Sequence, residues 1–234
     1  SSKSTKLIHG GIRYLQQGNI SLVLESLKER ALLKNNATHI VHNLKFVVPT
    51  YNWWESLFYG IGLKMYDWLA GKEGIGVSKI ISKKETVQLL PTIAQKHLRG
   101  GVIYHDAQFN DTRLLINMMQ TAKEQGATVL NYHEFLSFTK TNEGIIDGAE
   151  INNTINNKQF TIKTKAIVNA TGVFSDTIRK INNNTASKII TSSQGVHIVL
   201  DNFFLPGDTA IMIPKTDDGR ILFVIPWHDK IIIG

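Results

Sequence analysis

The sequence predicts an α/β chain joined to an α+β part, and three observations carry that expectation. Two stretches, Ile20 to Lys34 and Asp111 to Gly126, repeat apolar residues at helical spacing. Short extended segments separated by Asn, Gly and Thr turns fill 127–171. Beyond a polar linker, 182–193, four more segments alternate apolar and polar residues, as an antiparallel sheet with one covered face does.

Taken in order, Ile20 to Lys34 sets Ile20, Val23, Leu24, Leu27 and Ala31 on one face, with Asn19 or Ser21 as cap. Thr38 to Pro49 reads as a strand ended by its proline. Trp53 to Leu69 is dense in aromatic residues, and Trp54, Leu57, Phe58, Ile61, Met65, Trp68 and Leu69 fall on one stripe, although Gly60 and Gly62 weaken the helix. Core or interdomain packing is its first reading. A membrane-surface helix flanked by Lys64 and Lys72 is the second, and a base-stacking platform the last.

Leu89 to Asp111 reads as a loop leading into the second helix. There Asp111 is the expected cap, Leu115, Met118, Met119 and Ala122 the buried stripe, and Gly126 the left-handed end. ATVLNY, EFLSFTK, IIDGAEI, KQFTIK and KAIVNATG are the expected short strands, followed after the linker by GVHIVLD, TAIMIP, RILFVIPW and KIIIG.

Composition bounds the function. A chain of 234 residues buries roughly 70 to 75% of its unfolded surface, enough for one large domain or two small ones. A net charge of +7 favours anionic partners: a phosphorylated substrate, an anionic lipid surface or nucleic acid. The absence of cysteine rules out disulfides and thiolate metal sites. No apolar run approaches the ~20 residues that a membrane span needs, and the several Asn-x-Ser/Thr triplets are what an Asn-rich chain produces by chance.

The stretch SSKSTKLIHGGIRY, Ser1 to Tyr14, holds the densest chemistry. Small hydroxyl residues and the pair Gly10-Gly11 let a backbone approach a bulky ligand, while Lys6, Arg13 and Tyr14 supply donors for anionic oxygens. A polar terminus followed by an ordinary glycine turn is the competing reading. No G-x-G-x-x-G occurs: Gly60-Ile61-Gly62 and Gly74-Ile75-Gly76 lack the third glycine. Asp106, Asp111 and Arg113 read as an ion-pair and capping cluster, with a carboxylate base as the alternative.

SSKSTKLIHGGIRYLQ resembles the block that follows the dinucleotide fingerprint in FAD-dependent glycerol-3-phosphate dehydrogenases. YHDAQFNDTRLL, the Ala170-Thr171-Gly172 turn and Arg220 to Trp227 resemble later stretches of that family, so the likeness spans nearly the whole chain. Gln194 to Val199 is similar to the family's Lys-Gly-Ser-His-Ile-Val, but Gln194 and Val196 lack its charge and hydroxyl, so neither receives a role.

The resemblance implies a partial Rossmann-like FAD-binding domain of the glutathione-reductase type, 1–37 with 84–190. An antiparallel-sheet substrate domain, 38–83 with 191–234, completes the expected division. It implies cofactor contacts from Ser2, Ser4, Lys6, His9, Gly10, Gly11, Ala170, Thr171 and Gly172. Substrate contacts are implied for Arg13, Tyr14 and Arg220, and catalytic roles for His9 and for Arg220 as a strand-borne arginine facing the flavin; no metal is implied.

The expected activity is oxidation of glycerol 3-phosphate to dihydroxyacetone phosphate, with FAD as cofactor of a longer parent, a fragment that retains none itself, and quinone as acceptor. An anionic membrane surface is a further expected partner and nucleic acid is not, with a cytoplasmic site, peripheral on the inner face of the cell membrane. A glycerophosphate oxidase using oxygen and a non-catalytic basic lipid- or nucleic-acid-binding module are the rivals.

Overall fold

The structure, a computed structural model, describes residues 3–234, the side chains of Arg13 and Gln16 excepted. It divides into two compact units, one formed by 1–118 with 195–234 and the other by 119–194.

The first unit is built on an eight-stranded sheet in the order β1 (Leu7–Ile8), β4 (Gly100–Phe109), β2 (Val41–Thr50), β9 (Thr209–Ile213), β10 (Leu222–Trp227), β11 (Lys230–Ile233), β8 (Ile198–Asp201), with β3 (Lys79–Ser82) also on β4. Its pairings are antiparallel except β2 with β9. Strand alternation gives it two covered faces. Leu44, Phe46 and Val48 point to one core with Tyr104 and Met212, whereas Val47 points to the other with Ile81, Leu90, Leu205 and Ile231.

The first face is covered by α1 (Ile12–Gln16), α2 (Ile20–Asn36) and α3 (Trp53–Ala70), which supply Ile12, Val23, Leu27, Leu63 and Tyr66. Phe46 stacks on Tyr104 with ring centroids 4.9 Å apart, and the buried Tyr104 hydroxyl donates to Met212 Sδ at 3.3 Å. The short α4 (Lys83–Leu89) opens with a capping box in which Ser82 Oγ accepts from Glu85 N–H and the Glu85 carboxylate accepts from Ser82 N–H.

The second unit carries a meander of β5 (His133–Lys140), β6 (Ile146–Asn153) and β7 (Lys158–Lys163), followed by α6 (Ser175–Asn182). The boundary between the units falls within α5 (Asp111–Glu124).

Several expectations are corrected. The first long helix is found with Asn19 as its cap, but Ile20 and Leu24 are exposed and the buried face is Val23, Leu27, Arg30 and Ala31. Pro49 does not end β2, which runs on to Thr50; β9 covers only Lys45 to Val47, so one side of the strand is unpaired beside the proline. Leu89 to Asp111 contains β4, the partner of three strands. His105, Asp106 and Gln108 disguise it, because Asp106 is a buried charge with its own partner.

Of the apolar stripe expected on α3, Trp54, Leu57, Phe58, Ile61, Met65 and Trp68 are exposed, Trp68 at 78%, and Leu69 is half-buried against the core, while Gly60, Leu63, Tyr66 and Ala70 face inward. This helix is apolar nearly all round, so periodicity alone does not choose its inward face. On α5 the cap is Asn110, whose Oδ1 accepts from Arg113 N–H, and Leu115, Met118 and Met119 are exposed. ATVLNY and KAIVNATG form no strands: among the described residues no neighbour pairs with them, and Val168 is 88% exposed. An apolar run becomes a strand only beside another strand.

Candidate functional site

The HGG segment is positioned by sheet pairing. β1 pairs with the end of β4 through Leu7 with Gln108 and Ile8 with Ala107, and that register carries His9 and Gly10 alongside Asp106. Gly10 N–H donates to Asp106 Oδ1 at 3.1 Å. Arg30 Nη1 donates to the same oxygen at 2.8 Å and the Tyr66 hydroxyl to Oδ2 at 3.4 Å, while Arg30 also donates to the Tyr66 hydroxyl and to the Glu73 carbonyl.

All three side chains are buried. Burial pushes the Asp106 carboxyl above its ordinary value and Arg30 opposes that push, whereas the Tyr66 hydroxyl is held well above its ordinary value, first by burial and then by the Asp106 charge. Tyr66 is therefore a donor at any physiological pH.

Gly11 then turns the chain. Its φ of 76° is in the left-handed region, and its carbonyl accepts from Tyr14 N–H to open α1, the helix that bears Arg13 and Tyr14. His9, beside Gly10, is exposed.

Ahead of β1, Ser4 and Lys6 converge on Asp111: Ser4 Oγ donates to Oδ2 at 2.9 Å and Lys6 Nζ to Oδ1 at 2.6 Å. Burial raises the Asp111 carboxyl, but hydrogen bonds from Lys6 and Ser4 outweigh it, and the net shift is downward. Lys6 is held at φ 60°, an uncommon conformation for a residue with a side chain, and its ammonium lies 5.8 Å from the centre of the Trp227 ring. A cavity of about 520 Å³ opens here, lined by Lys6, Asn110, Thr112, Arg113, Trp227 and His228. Gln108 Nε2 donates to the Pro226 carbonyl at 2.8 Å and so ties β4 to the strand that ends in Trp227.

Thus Ser4, Lys6, His9, Gly10, Gly11 and Tyr14 lie on one continuous segment braced from β4 and the start of α5. Ser2 and the Arg13 side chain lie outside the described residues. Arg220 is not on a strand: it closes the turn 216–220 ahead of β10, is exposed, and pairs with Asp218. Hydrogen bonds from Arg220 and Thr216 pull the Asp218 carboxyl down to about 2.

Ala170, Thr171 and Gly172 belong to the second unit and are exposed. Asn169 Oδ1 accepts from Thr171 N–H and Oγ1–H, and Gly172 has φ 58° with open space where a Cβ would stand.

Two features, each within its own unit, suit parts of a flavin dinucleotide: in the second the open backbone at Gly172 admits a bulky group, and in the first the cavity beside Lys6 and Trp227 joins a cation to a flat aromatic wall. Gly10 serves a different end. A Cβ there would overlap the Tyr66 hydroxyl and Leu27 Cδ2, so its small size makes room for the protein's own side chains.

The sequence reading missed Arg30 and Tyr66. The available signal was Arg30 itself, a charge three residues after Leu27 on the apolar face of its helix. No cluster that could hold a metal occurs among the described residues.

Residues 1–234 match the family described as FAD dependent oxidoreductase. The whole chain is 41% identical to a mitochondrial glycerol-3-phosphate dehydrogenase of Arabidopsis thaliana, of which it covers 39%. It is 37% identical to the corresponding mitochondrial protein of Schizosaccharomyces pombe, of which it covers 38%. The chain therefore spans about two fifths of the length of these relatives. Its fold superposes on the glycerol-3-phosphate dehydrogenase from Bacillus halodurans complexed with FAD with a TM-score of 0.70 at 28% identity, covering 100% of this chain and 39% of that one.

Proposed function

The chain belongs to the FAD dependent oxidoreductase family, and from that premise we propose that it is part of an FAD-dependent glycerol-3-phosphate dehydrogenase. The reaction is oxidation of the C2 alcohol to give dihydroxyacetone phosphate. The observation that carries this reading is similarity along the whole chain to glycerol-3-phosphate dehydrogenases at 41 and 37% identity. FAD, when bound, supplies the acceptor for the hydride that leaves C2.

The chain's own residues hold and orient the substrate. Arg13 and Tyr14, on the helix that Gly11 starts, take its anionic and hydroxyl oxygens; Arg220 stabilises charge at the C2 oxygen as its proton leaves, and His9 is the candidate to receive that proton. To the cofactor we assign Ser2, Ser4, Lys6, His9, Gly10 and Gly11 and, separately, Ala170 to Gly172.

The roles divide as 1–37 with 84–190 for the cofactor and 38–83 with 191–234 for the substrate. Within that division β4, from the cofactor part, runs in the large sheet beside β2 and braces the HGG turn.

We assign a membrane quinone as electron acceptor, delivered where α3 meets the bilayer. Two features support this: the exposed aromatic face of α3, and an apolar cavity of about 340 Å³ beside it, lined by Ile12, Leu15, Tyr59, Ile61, Leu63 and Met212 among others. The attachment we assign is peripheral, on the inner face of the cell membrane; no helix of the described residues is long and apolar enough to cross a membrane.

The test is reduction of the bound flavin in the full-length protein by glycerol 3-phosphate and by glycerol, followed by reoxidation with a soluble quinone or with air. Reduction by the phosphate ester alone and reoxidation by quinone support the reading. Equal reduction by both alcohols overturns the substrate, and rapid peroxide formation in air overturns the acceptor.

A further inference from the structure

We propose that Asp106, held by Arg30 and Tyr66, is a positioning residue of the reaction, fixing the backbone of Gly10 and with it His9 on one side and α1 on the other. This inference rests on the functional reading above and adds residues to it.

The argument begins with what the network is attached to. Asp106 comes from β4, Arg30 from α2 and Tyr66 from α3, so three elements converge on one carboxylate. Arg30 and Asp106 are each 1% exposed. A buried ion pair is costly to desolvate, and apolar residues of similar volume often hold a core equally well, so stability alone is a weak reason for one here. The bond that distinguishes this pair is the third, from Gly10 N–H to Asp106 Oδ1, because it reaches the turn between His9 and the helix of Arg13 and Tyr14.

Asp106 acts as acceptor to all three donors, and Tyr66 and Arg30 hold both carboxylate oxygens in one orientation. Tyr66 also stands against the Gly10 Cα, together with Leu27, so the turn is both tethered and blocked from sliding inward. Immediately afterward the Gly11 carbonyl accepts from Tyr14 N–H. A displacement at Gly10 is thus passed within one residue to the first turn of α1. Asp106 itself does not line the cavity of Lys6, Trp227 and His228, so its part is to position others.

The experiment uses the FAD-loaded full-length protein and the variants Asp106→Asn and Tyr66→Phe, with Val23→Ala as a core control that leaves the network intact. The readouts are kcat/KM per bound flavin for glycerol 3-phosphate and the visible circular dichroism of the flavin. Displacement of reacting groups by an ångström costs up to about 100-fold, and the expected loss is about tenfold in Asp106→Asn and roughly threefold in Tyr66→Phe. The flavin dichroism is expected to change in both and to stay unchanged in Val23→Ala.

Wild-type kcat/KM and dichroism in Tyr66→Phe and Asp106→Asn overturn the inference, and if Asp106→Asn does not fold, Tyr66→Phe decides on the same two readouts. Wild-type protein whose flavin is not reduced by glycerol 3-phosphate sinks the functional reading instead; the dichroism of the variants then decides whether the network positions the site.

Discussion

The Tyr66 hydroxyl occupies the space a side chain on Gly10 would need, so a residue on the aromatic helix dictates the residue type in the HGG turn. Gly10→Ala is therefore expected to destabilise the protein. Overpacking a close-fitted interior typically costs about 1 to 3 kcal/mol, and the upper end is expected because Tyr66 is held by Arg30 and Asp106 and Leu27 blocks the other side. Urea unfolding of the full-length variant measures it; a midpoint equal to wild type would show that the turn and Tyr66 separate freely.

Asp111 gives a pH dependence with a definite sign. Its carboxyl is below its ordinary value because hydrogen bonds from Lys6 and Ser4 outweigh the upward push of burial. A depressed carboxylate contributes stability that is fully present above its unfolded value, near pH 4, and is lost as pH falls through the folded value. Asp111→Asn is thus expected to be less stable than wild type at pH 7, with the gap closing on acidification toward pH 3. Urea midpoints at the two pH values decide it, and a gap that widens in acid would contradict the assignment.

The exposed face of α3 makes a separate test of membrane contact. Trp53, Trp54 and Phe58 are 78, 48 and 58% exposed, so their replacement by serine removes little core packing and is expected to shift stability by about 0.5 kcal/mol each. Co-sedimentation of the full-length protein with vesicles containing anionic lipid is expected to fall sharply. Unchanged co-sedimentation of the folded triple variant would leave the face without a lipid role.

Residues 1–234 expressed alone are expected not to retain FAD. The pyrophosphate of a dinucleotide is held at a glycine-rich turn and helix N-terminus in Rossmann-like folds, and this chain contains no G-x-G-x-x-G. A flavin absorbance band that stays with the protein through gel filtration would count against this.

How far the sequence reveals this molecule depends on whether an element's environment is local. The strands in GVHIVLD, TAIMIP, RILFVIPW and KIIIG pair largely with one another, so alternation identified them as antiparallel neighbours, but the single covered face it implied is wrong: Met212 and Ile225 enter one core and Ile211 and Ile231 the other, and β9 also pairs in parallel with β2. The same reasoning failed for KAIVNATG, whose apolar residues have no strand beside them among the described residues. It failed for β4 because a buried aspartate breaks the apolar pattern while being satisfied by an arginine 76 positions earlier. The inward face of α3 was illegible because almost every face of that helix is apolar. At the site, HGG was legible as a turn, with Gly11 at a positive φ, and Asp111 as an ion-pairing carboxylate, whereas the dependence of Gly10 on Tyr66 and Asp106 exists only after three distant segments have met.

The last prediction separates the two arginines assigned to the substrate. Arg220 sits in an exposed turn, paired with Asp218, which it helps hold at a pKa of about 2. An exposed ion pair is a weak restraint, so Arg220 is free to exchange Asp218 for a substrate oxygen. If it meets the C2 oxygen as charge develops there, its contribution is made in the transition state and its loss lowers kcat. An arginine that grips the phosphate binds ground and transition states alike, and its loss raises KM while leaving kcat nearly unchanged. Lysine keeps the charge but lacks the planar fork, so Arg220→Lys is expected to show a kcat defect and Arg13→Lys a KM defect. A charge-assisted hydrogen bond contributes roughly 1.5 to 3 kcal/mol, or about 10- to 150-fold in kcat/KM. Asp218→Asn supplies the control: if Arg220 must leave Asp218 to act, releasing it is expected to preserve kcat or raise it. Wild-type kcat in flavin-loaded Arg220→Lys would remove that residue from the chemistry, and a kcat loss in Asp218→Asn as large as that in Arg220→Lys would mean that the turn, with its ion pair intact, is the functional unit.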